Sequence, residues 1–150
     1  MARKILVPID FSEISLQAFA YAKRIAEASG AILYLVHTIK FPRRIENYYT
    51  HYSEIGQWVR VYMKKQAQGF FQKMIEGEGS LKTAVRYKIL EGDLAEQVLN
   101  LVESEGIDFI ILGITPLGGP LARFKKNHLY TILEKASCPV ITINSRVSCL

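Results

Sequence analysis

Cysteines are scarce and long apolar runs are missing from this chain. Only two of the 150 residues are cysteines, Cys138 and Cys149, which is too few for a disulfide framework and agrees with a reducing compartment. No apolar run approaches the roughly 20 residues that a membrane-spanning helix needs. The run Ile5–Ile9 follows basic residues but stops at Asp10, too short for the core of a signal peptide. We therefore expect a cytoplasmic protein that makes no membrane contact.

The usual catalytic motifs are also missing. The sequence contains no G-x-x-x-x-G-K-[ST] phosphate loop, no G-x-G-x-x-G fingerprint and no G-x-S-x-G elbow. The histidines His37, His51 and His128 show no metal-ligand spacing with one another or with the cysteines. His37 ends a predicted strand, a position more typical of a hydrogen-bonded, half-buried histidine than of a base. We expect neither a metal site nor an enzyme. A small α/β phosphoryl- or nucleotidyl-transfer enzyme is the less favoured alternative.

Positive charge is concentrated in one stretch. The formal net charge is +5, and the segment Lys40–Lys73 holds seven basic and two acidic residues. Apolar residues interrupt these basic positions, and no run of five basic residues occurs. The pattern is typical of a solvated helix face, so we expect no nucleic-acid partner.

Short apolar runs alternate with segments of helical periodicity, giving the order β-α-β-α-β-α-β-α-β. This alternation predicts an α/β fold in which helices cover both faces of an open parallel sheet, within one domain spanning residues 1–150. Gly and Pro between 114 and 126 predict a loop there, and Asn127 is a candidate N-cap for the last helix. The predicted strands are Ile5–Ile9, Ala31–Ile39, Val85–Ile89, Phe109–Leu112 and Val140–Ile143. The first predicted helix follows Ser12, the second spans Ile55–Met74 and the third follows Asp93.

Ligands of open α/β sheets bind beyond the carboxyl ends of the strands, so residues that follow strands are the candidate site residues. Asp10 could accept hydrogen bonds from a ribose or a base, or it could cap the first helix together with Ser12, which its spacing favours. Gly113 opens a loop that leads to an anion site at a helix start, or that is an ordinary connector. The tract Tyr48–Tyr52 is expected near the same edge, where its tyrosines could cover the crevice, contact a partner or pack on the second helix.

Five segments, in order and at matching spacing, resemble the universal stress protein family. They are Lys4–Glu13 (KILVPIDFSE), Leu35–Thr38 (LVHT), Glu91–Glu96 (EGDLAE), Asp108–Gly113 (DFIILG) and Ala136–Val140 (ASCPV). The resemblance implies a stress-linked regulatory protein with five parallel strands in the order 3-2-1-4-5. It also implies a homodimer, which we expect to form through Val140–Ile143 at the sheet edge. The alternative is that the last residues cover this edge within one chain.

The same resemblance identifies the residues of a possible nucleotide site. Ile9, Asp10 and Thr38 occupy positions that contact adenosine in the family, and family members that bind ATP resemble G-x2-G-x9-G-[ST] after the fourth strand. Laid on this chain, that pattern begins at Gly113, keeps a frequent glycine at Gly119, and meets Pro116, Lys126 and Asn127 at the other motif positions. Pro116 has no N–H to donate. We therefore expect no cofactor. The alternative is an ATP or AMP sensor in which Lys126 and Asn127 contact the phosphates.

Overall fold

The computed structural model describes residues 1–41, 54–114 and 122–144. Within these ranges the chain forms one sheet of five parallel strands in the order β3-β2-β1-β4-β5, which confirms the predicted fold class and strand order. β3 and β5 therefore lie at the two edges. The strands are β1 (Lys4–Pro8), β2 (Ile32–Ile39), β3 (Val85–Glu91), β4 (Phe109–Ile114) and β5 (Val140–Asn144).

Local capping signals set the bounds of two helices. Ser12 caps one helix and accepts a hydrogen bond from the Ser15 N–H, and Asp93 caps another through the Glu96 N–H. Gly30 and Gly106 end these helices in the left-handed conformation that glycine adopts without steric cost. The described helices are α1 (Glu13–Ser29), α2 (Glu54–Glu76), α3 (Leu94–Glu105) and α4 (Ala122–Lys135). None of them combines the length and the apolar composition needed to cross a bilayer.

The start of the last helix was predicted wrongly. The sequence suggested a loop up to Lys126 and a cap at Asn127, whereas α4 is already helical from Ala122. Asn127 is thus the sixth residue of the helix. The segment from Ala122 to Lys126 contains alanine, arginine and lysine, which favour the helix interior, and this propensity outweighs the capping preference of asparagine.

The sheet separates two apolar cores. Consecutive residues of β1 face opposite sides: Val7 packs with Phe19 and Ala22 of α1, whereas Leu6 packs with Val98 of α3. Phe71 of α2 joins the first core and Ile132 of α4 the second, so α1 and α2 cover one face while α3 and α4 cover the other. This arrangement follows from right-handed crossovers, because the chain moves across the sheet in one direction from β1 to β3 and in the opposite direction from β3 to β5.

Candidate functional site

A crevice begins where β1 and β4 separate. These two strands pair only at Ile5–Phe109 and Leu6–Ile110, whereas β1 stays paired with β2 as far as Pro8. Successive connections run to opposite sides of the sheet at this position, which makes it the topological switch point, where ligands of open α/β sheets bind. The carboxyl ends of β1 and β4 therefore frame the candidate site.

Asp10 is exposed and lies in the short connection between the carboxyl end of β1 and the start of α1. Its Oδ1 accepts hydrogen bonds from the backbone N–H of Ser12, at 3.0 Å, and from the Ser12 hydroxyl. Ser12 in turn caps α1 through the Ser15 N–H, 3.4 Å from its Oγ. Asp10 therefore takes part in the capping arrangement that its spacing favoured. A carboxylate at a helix N-terminus is also stabilised by the helix dipole.

Phe11, between these two residues, has a left-handed backbone with φ of 61°. Phenylalanine rarely adopts this conformation, so the surroundings must hold it there. Its ring lies 4.9 Å from the ring of His37 and 5.0 Å from those of Phe70 and Phe71. Contacts with β2 and α2 thus fix the backbone that positions Asp10. No local pattern in the sequence indicates a role for this residue, since its conformation depends on partners 26 to 60 positions away.

His37 connects β2 to the end of β1. Its Nδ1 lies 2.7 Å from the carbonyl oxygen of Ile9, which can only accept, so Nδ1 carries the hydrogen. The N–H of buried Ile9 donates to the Val36 carbonyl at 2.8 Å. Ile9 is therefore held by both of its backbone groups. His37 has the structural hydrogen bond that the sequence favoured for it.

Gly113 is the last residue but one of β4 and lies against the first turn of α1. A Cβ atom there would lie 2.6 Å from the carbonyl oxygen of Ile14 in the first turn of α1. Only glycine permits this approach, because backbone atoms cannot move aside as a flexible side chain could. Packing alone therefore requires the glycine that the sequence assigned to a phosphate loop.

The other proposed site residues are not all brought together. Thr38 lies on β2, two positions beyond Val36, and is half-buried. Lys126 and Asn127 are the fifth and sixth residues of α4, past the first turn. Gly119, and likewise the tract Tyr48–Tyr52, lies outside the described residues.

Three side-chain contacts near the carboxyl ends of the strands had no signal in the sequence. Nδ1 of His128 on α4 lies 3.1 Å from Oδ2 of Asp93, the residue that caps α3. This contact joins residues 35 positions apart and ties the two helices of one face together. Glu91 at the end of β3 contacts Arg60 Nε at 3.6 Å and Lys64 Nζ at 3.2 Å, so part of the basic excess of α2 is neutralised locally.

Metal-binding clusters are missing from the described ranges, where no group of three or more His, Cys, Asp or Glu side chains could hold an ion. Cys138 is also unsuited to nucleophilic work. Burial raises the pKa of its thiol, and Asp108 and Glu103 raise it further. A raised pKa reduces the thiolate fraction at neutral pH, and the thiolate is the reactive form.

A family model described as the universal stress protein family matches residues 1–144 of the chain. Among curated proteins, the chain is similar to universal stress protein MJ0531 of Methanocaldococcus jannaschii, with 22% identity over 143 residues. That match covers 94% of this chain and 81% of the relative.

Solved structures share the fold. The hypothetical protein MJ0577, the subject of a structure-based assignment of biochemical function, superposes with a TM-score of 0.76 at 23% identity, covering 99% of both chains. A universal stress protein from Archaeoglobus fulgidus, solved in complex with dAMP, has a TM-score of 0.63 at 17% identity and covers 95% of this chain and 98% of its own. Another universal stress protein was solved in complex with cAMP, with a TM-score of 0.63, 18% identity and coverage of 94% and 95%.

Proposed function

Because the chain belongs to the universal stress protein family, we propose that it is a regulatory interaction protein of the stress response that works without tightly bound ATP and without catalytic turnover. The proposal concerns the phosphate end of the candidate site. The adenosine end keeps a carboxylate in a suitable place, since Asp10 lies exposed beside the crevice.

The start of α4 carries this proposal. A phosphate at a helix N-terminus is held by the N–H groups of the first turn, which have no partner within the helix. Lys126 and Asn127 occupy the positions of the family's last glycine and hydroxyl residue, yet they are the fifth and sixth residues of α4. Backbone N–H groups that far into a helix bond to the carbonyl four residues earlier. They are therefore not free to donate to a phosphate, and Pro116 has no N–H at all.

Titration calorimetry with ATP on the purified chain tests the proposal directly. We expect no heat of binding at micromolar ATP and no absorbance excess at 260 nm from nucleotide that copurifies. A dissociation constant for ATP in the micromolar range would overturn the proposal and would favour a nucleotide sensor.

A second candidate is an adenine-nucleotide sensor for ligands with a single phosphate. Two relatives of the same fold were solved with such ligands, cAMP and dAMP. A monophosphate needs fewer phosphate contacts than ATP, so the arrangement of α4 weighs less against it. Titration with AMP and cAMP beside ATP separates the two candidates: binding of AMP or cAMP with no binding of ATP would favour this sensor.

We also propose that β5 forms a homodimer interface. β5 pairs with β4 on one side only among the described residues, and Ile141 on this strand is 41% exposed. An unpaired strand edge with an exposed β-branched residue favours pairing with a second copy.

A further inference from the structure

The outward face of α2 carries an exposed apolar group. Trp58, Val61 and Tyr62 are 67%, 56% and 51% exposed, whereas Ala67 and Phe71 on the opposite face of the helix are buried. The rings of Trp58 and Tyr62 stack in parallel, with centroids 5.5 Å apart and planes 11° apart. This stack holds the large tryptophan ring against the helix surface, so little side-chain freedom remains to be lost on binding.

The spacing of this face is that of a coiled-coil seam. Glu54, Trp58, Val61 and Lys65 follow one another at intervals of four, three and four residues, the pattern in which heptad positions a and d alternate. All four side chains are exposed. They extend over about 16 Å of helix at 1.5 Å per residue. The seam thus has two apolar residues at its centre, an acid at one end and a base at the other.

The charges at the two ends of the seam have no salt-bridge partner among the described residues. Neither Glu54 nor Lys65 forms a salt bridge within the described part of the chain. Their neighbour Lys64 differs, because it projects to the flank of α2 and contacts Glu91. The seam charges are therefore not used to hold α2 on the sheet.

We propose that the seam Glu54–Trp58–Val61–Lys65 binds the same seam of a second copy of this chain, with the two α2 helices antiparallel. In an antiparallel pair each a position faces a d position of the other helix. Trp58 then faces Val61 of the second copy at the centre, and Glu54 faces Lys65 of the second copy at both ends. The seam is complementary to itself under a two-fold axis, as an interface between identical subunits requires. Parallel pairing would instead place like charges together.

This interface is separate from the one proposed at β5. α2 packs over β2 and β3, at the edge of the sheet opposite to β5. A chain that uses both interfaces forms assemblies of more than two copies. The two contacts can therefore be removed one at a time.

Charge reversal with rescue tests the proposal by sedimentation velocity on the full chain. An Ile141→Lys background removes the β5 contact, so only the α2 contact is measured. Lys65→Glu and Glu54→Lys each place like charges at both ends of the seam, and each should raise the dissociation constant of self-association about tenfold or more. The double variant restores both pairs and should associate as the parent does. An equimolar mixture of the two single variants should also associate.

Lys73→Glu is the matched control. It makes the same change of net charge as Lys65→Glu, at an exposed position of α2 outside the seam, and it should leave self-association unchanged. Circular dichroism verifies that each variant keeps its helices. The proposal is overturned if the background chain does not self-associate at about 200 µM, if the single variants associate as well as their parent, or if neither the double variant nor the mixture recovers association. If the parent binds phosphatidylserine vesicles and neither charge reversal changes self-association, the face is assigned to a lipid surface instead.

Discussion

Gly113 at the end of β4 and Ile14 in the first turn of α1 touch through their backbones. The missing Cβ of Gly113 would come within 2.6 Å of the Ile14 carbonyl oxygen and 2.9 Å of its carbonyl carbon. A helix that starts at the end of β1 is thereby fixed against a strand that has already separated from β1.

We expect Gly113→Ala to lower the free energy of unfolding by about 2 kcal/mol, because the methyl group forces the two backbones apart. Gly69→Ala in α2 is the control, since its Cβ would meet no atom within 4 Å. That substitution should stabilise the protein by up to about 1 kcal/mol, the advantage of alanine over glycine in a helix. Urea denaturation measures both. Equal stability of the two variants would contradict the proposed contact.

At Phe11 we expect substitution by glycine to destabilise the protein less than substitution by alanine, the reverse of the usual order. Both substitutions remove ring contacts of about 0.5–1.5 kcal/mol each. Phe11→Gly also removes the strain of the left-handed backbone conformation, whereas Phe11→Ala retains that strain. We therefore expect the glycine variant to be the more stable of the two by about 1 kcal/mol, although less stable than the parent. Chemical denaturation at one temperature compares them, and an alanine variant at least as stable as the glycine variant would rule out the left-handed conformation.

These two positions show what the sequence could and could not reveal. The strands lie within two residues of their predicted bounds, and α1 and α3 begin after Ser12 and Asp93 as predicted, because strand pattern and helix capping are local chemistry. The sequence assigned Gly113 to a phosphate loop, whereas the structure requires glycine there for a backbone contact with α1. A contact with a helix that is distant in sequence leaves no local pattern.

The phosphate end of the site was harder to predict. A capping residue and a run of helix-forming residues give opposite signals around Asn127, and their relative strength depends on how α4 packs through Ile132. No periodic pattern in the sequence indicates the contact of His128 with Asp93. Side chains that meet across two helices can be found only once the helices are placed.

A phosphate site should be recoverable by substitution. Pro116→Gly combined with Lys126→Gly and Asn127→Ser restores the family's motif residues, and the new glycine inside α4 disfavours helix before residue 127 by about 1 kcal/mol. We expect calorimetry to detect ATP binding in this triple variant and none in the parent. Lys126→Ala alone is the control, because it removes the ammonium but keeps the helix, and it should also fail to bind. Loss of an existing ATP affinity in the control would mean that Lys126 holds the phosphate.

The β5 interface should be visible by light scattering in a Lys65→Glu background, in which the contact proposed for α2 is weakened. We expect a mass of twice the chain's 17.0 kDa at micromolar concentration. Adding Ile141→Lys places a charge on the exposed strand edge and should halve that mass. A mass of 17.0 kDa before this second substitution would contradict the β5 dimer.

Acid should weaken the contact between β3 and α3. The hydrogen bond from Lys88 lowers the pKa of the Glu105 carboxyl below its usual range, so ionised Glu105 favours the folded state. Its contribution is present at neutral pH, above the pKa of the unfolded chain. That contribution is lost as the pH falls through the lower pKa of the folded state.

The corresponding measurement is the urea midpoint between about pH 6 and about pH 3. Glu105→Gln should flatten the decline on the acid side, and Lys88→Met, which removes the hydrogen bond, should flatten it similarly. A decline as steep as that of the parent in both variants would show that Glu105 does not contribute.

The sheet also partitions the effects of mutation. Leu6 and Val7 are adjacent in sequence but belong to different cores, so a cavity opened beside one of them does not border the other. Substitutions in separate cores therefore change stability independently, whereas those within one core influence each other. The core under α3 and α4 can diverge through many replacements while that under α1 and α2 still holds Phe11 and Asp10 in place. Sequence drift in the core under α3 and α4 can thus be extensive without displacing Asp10.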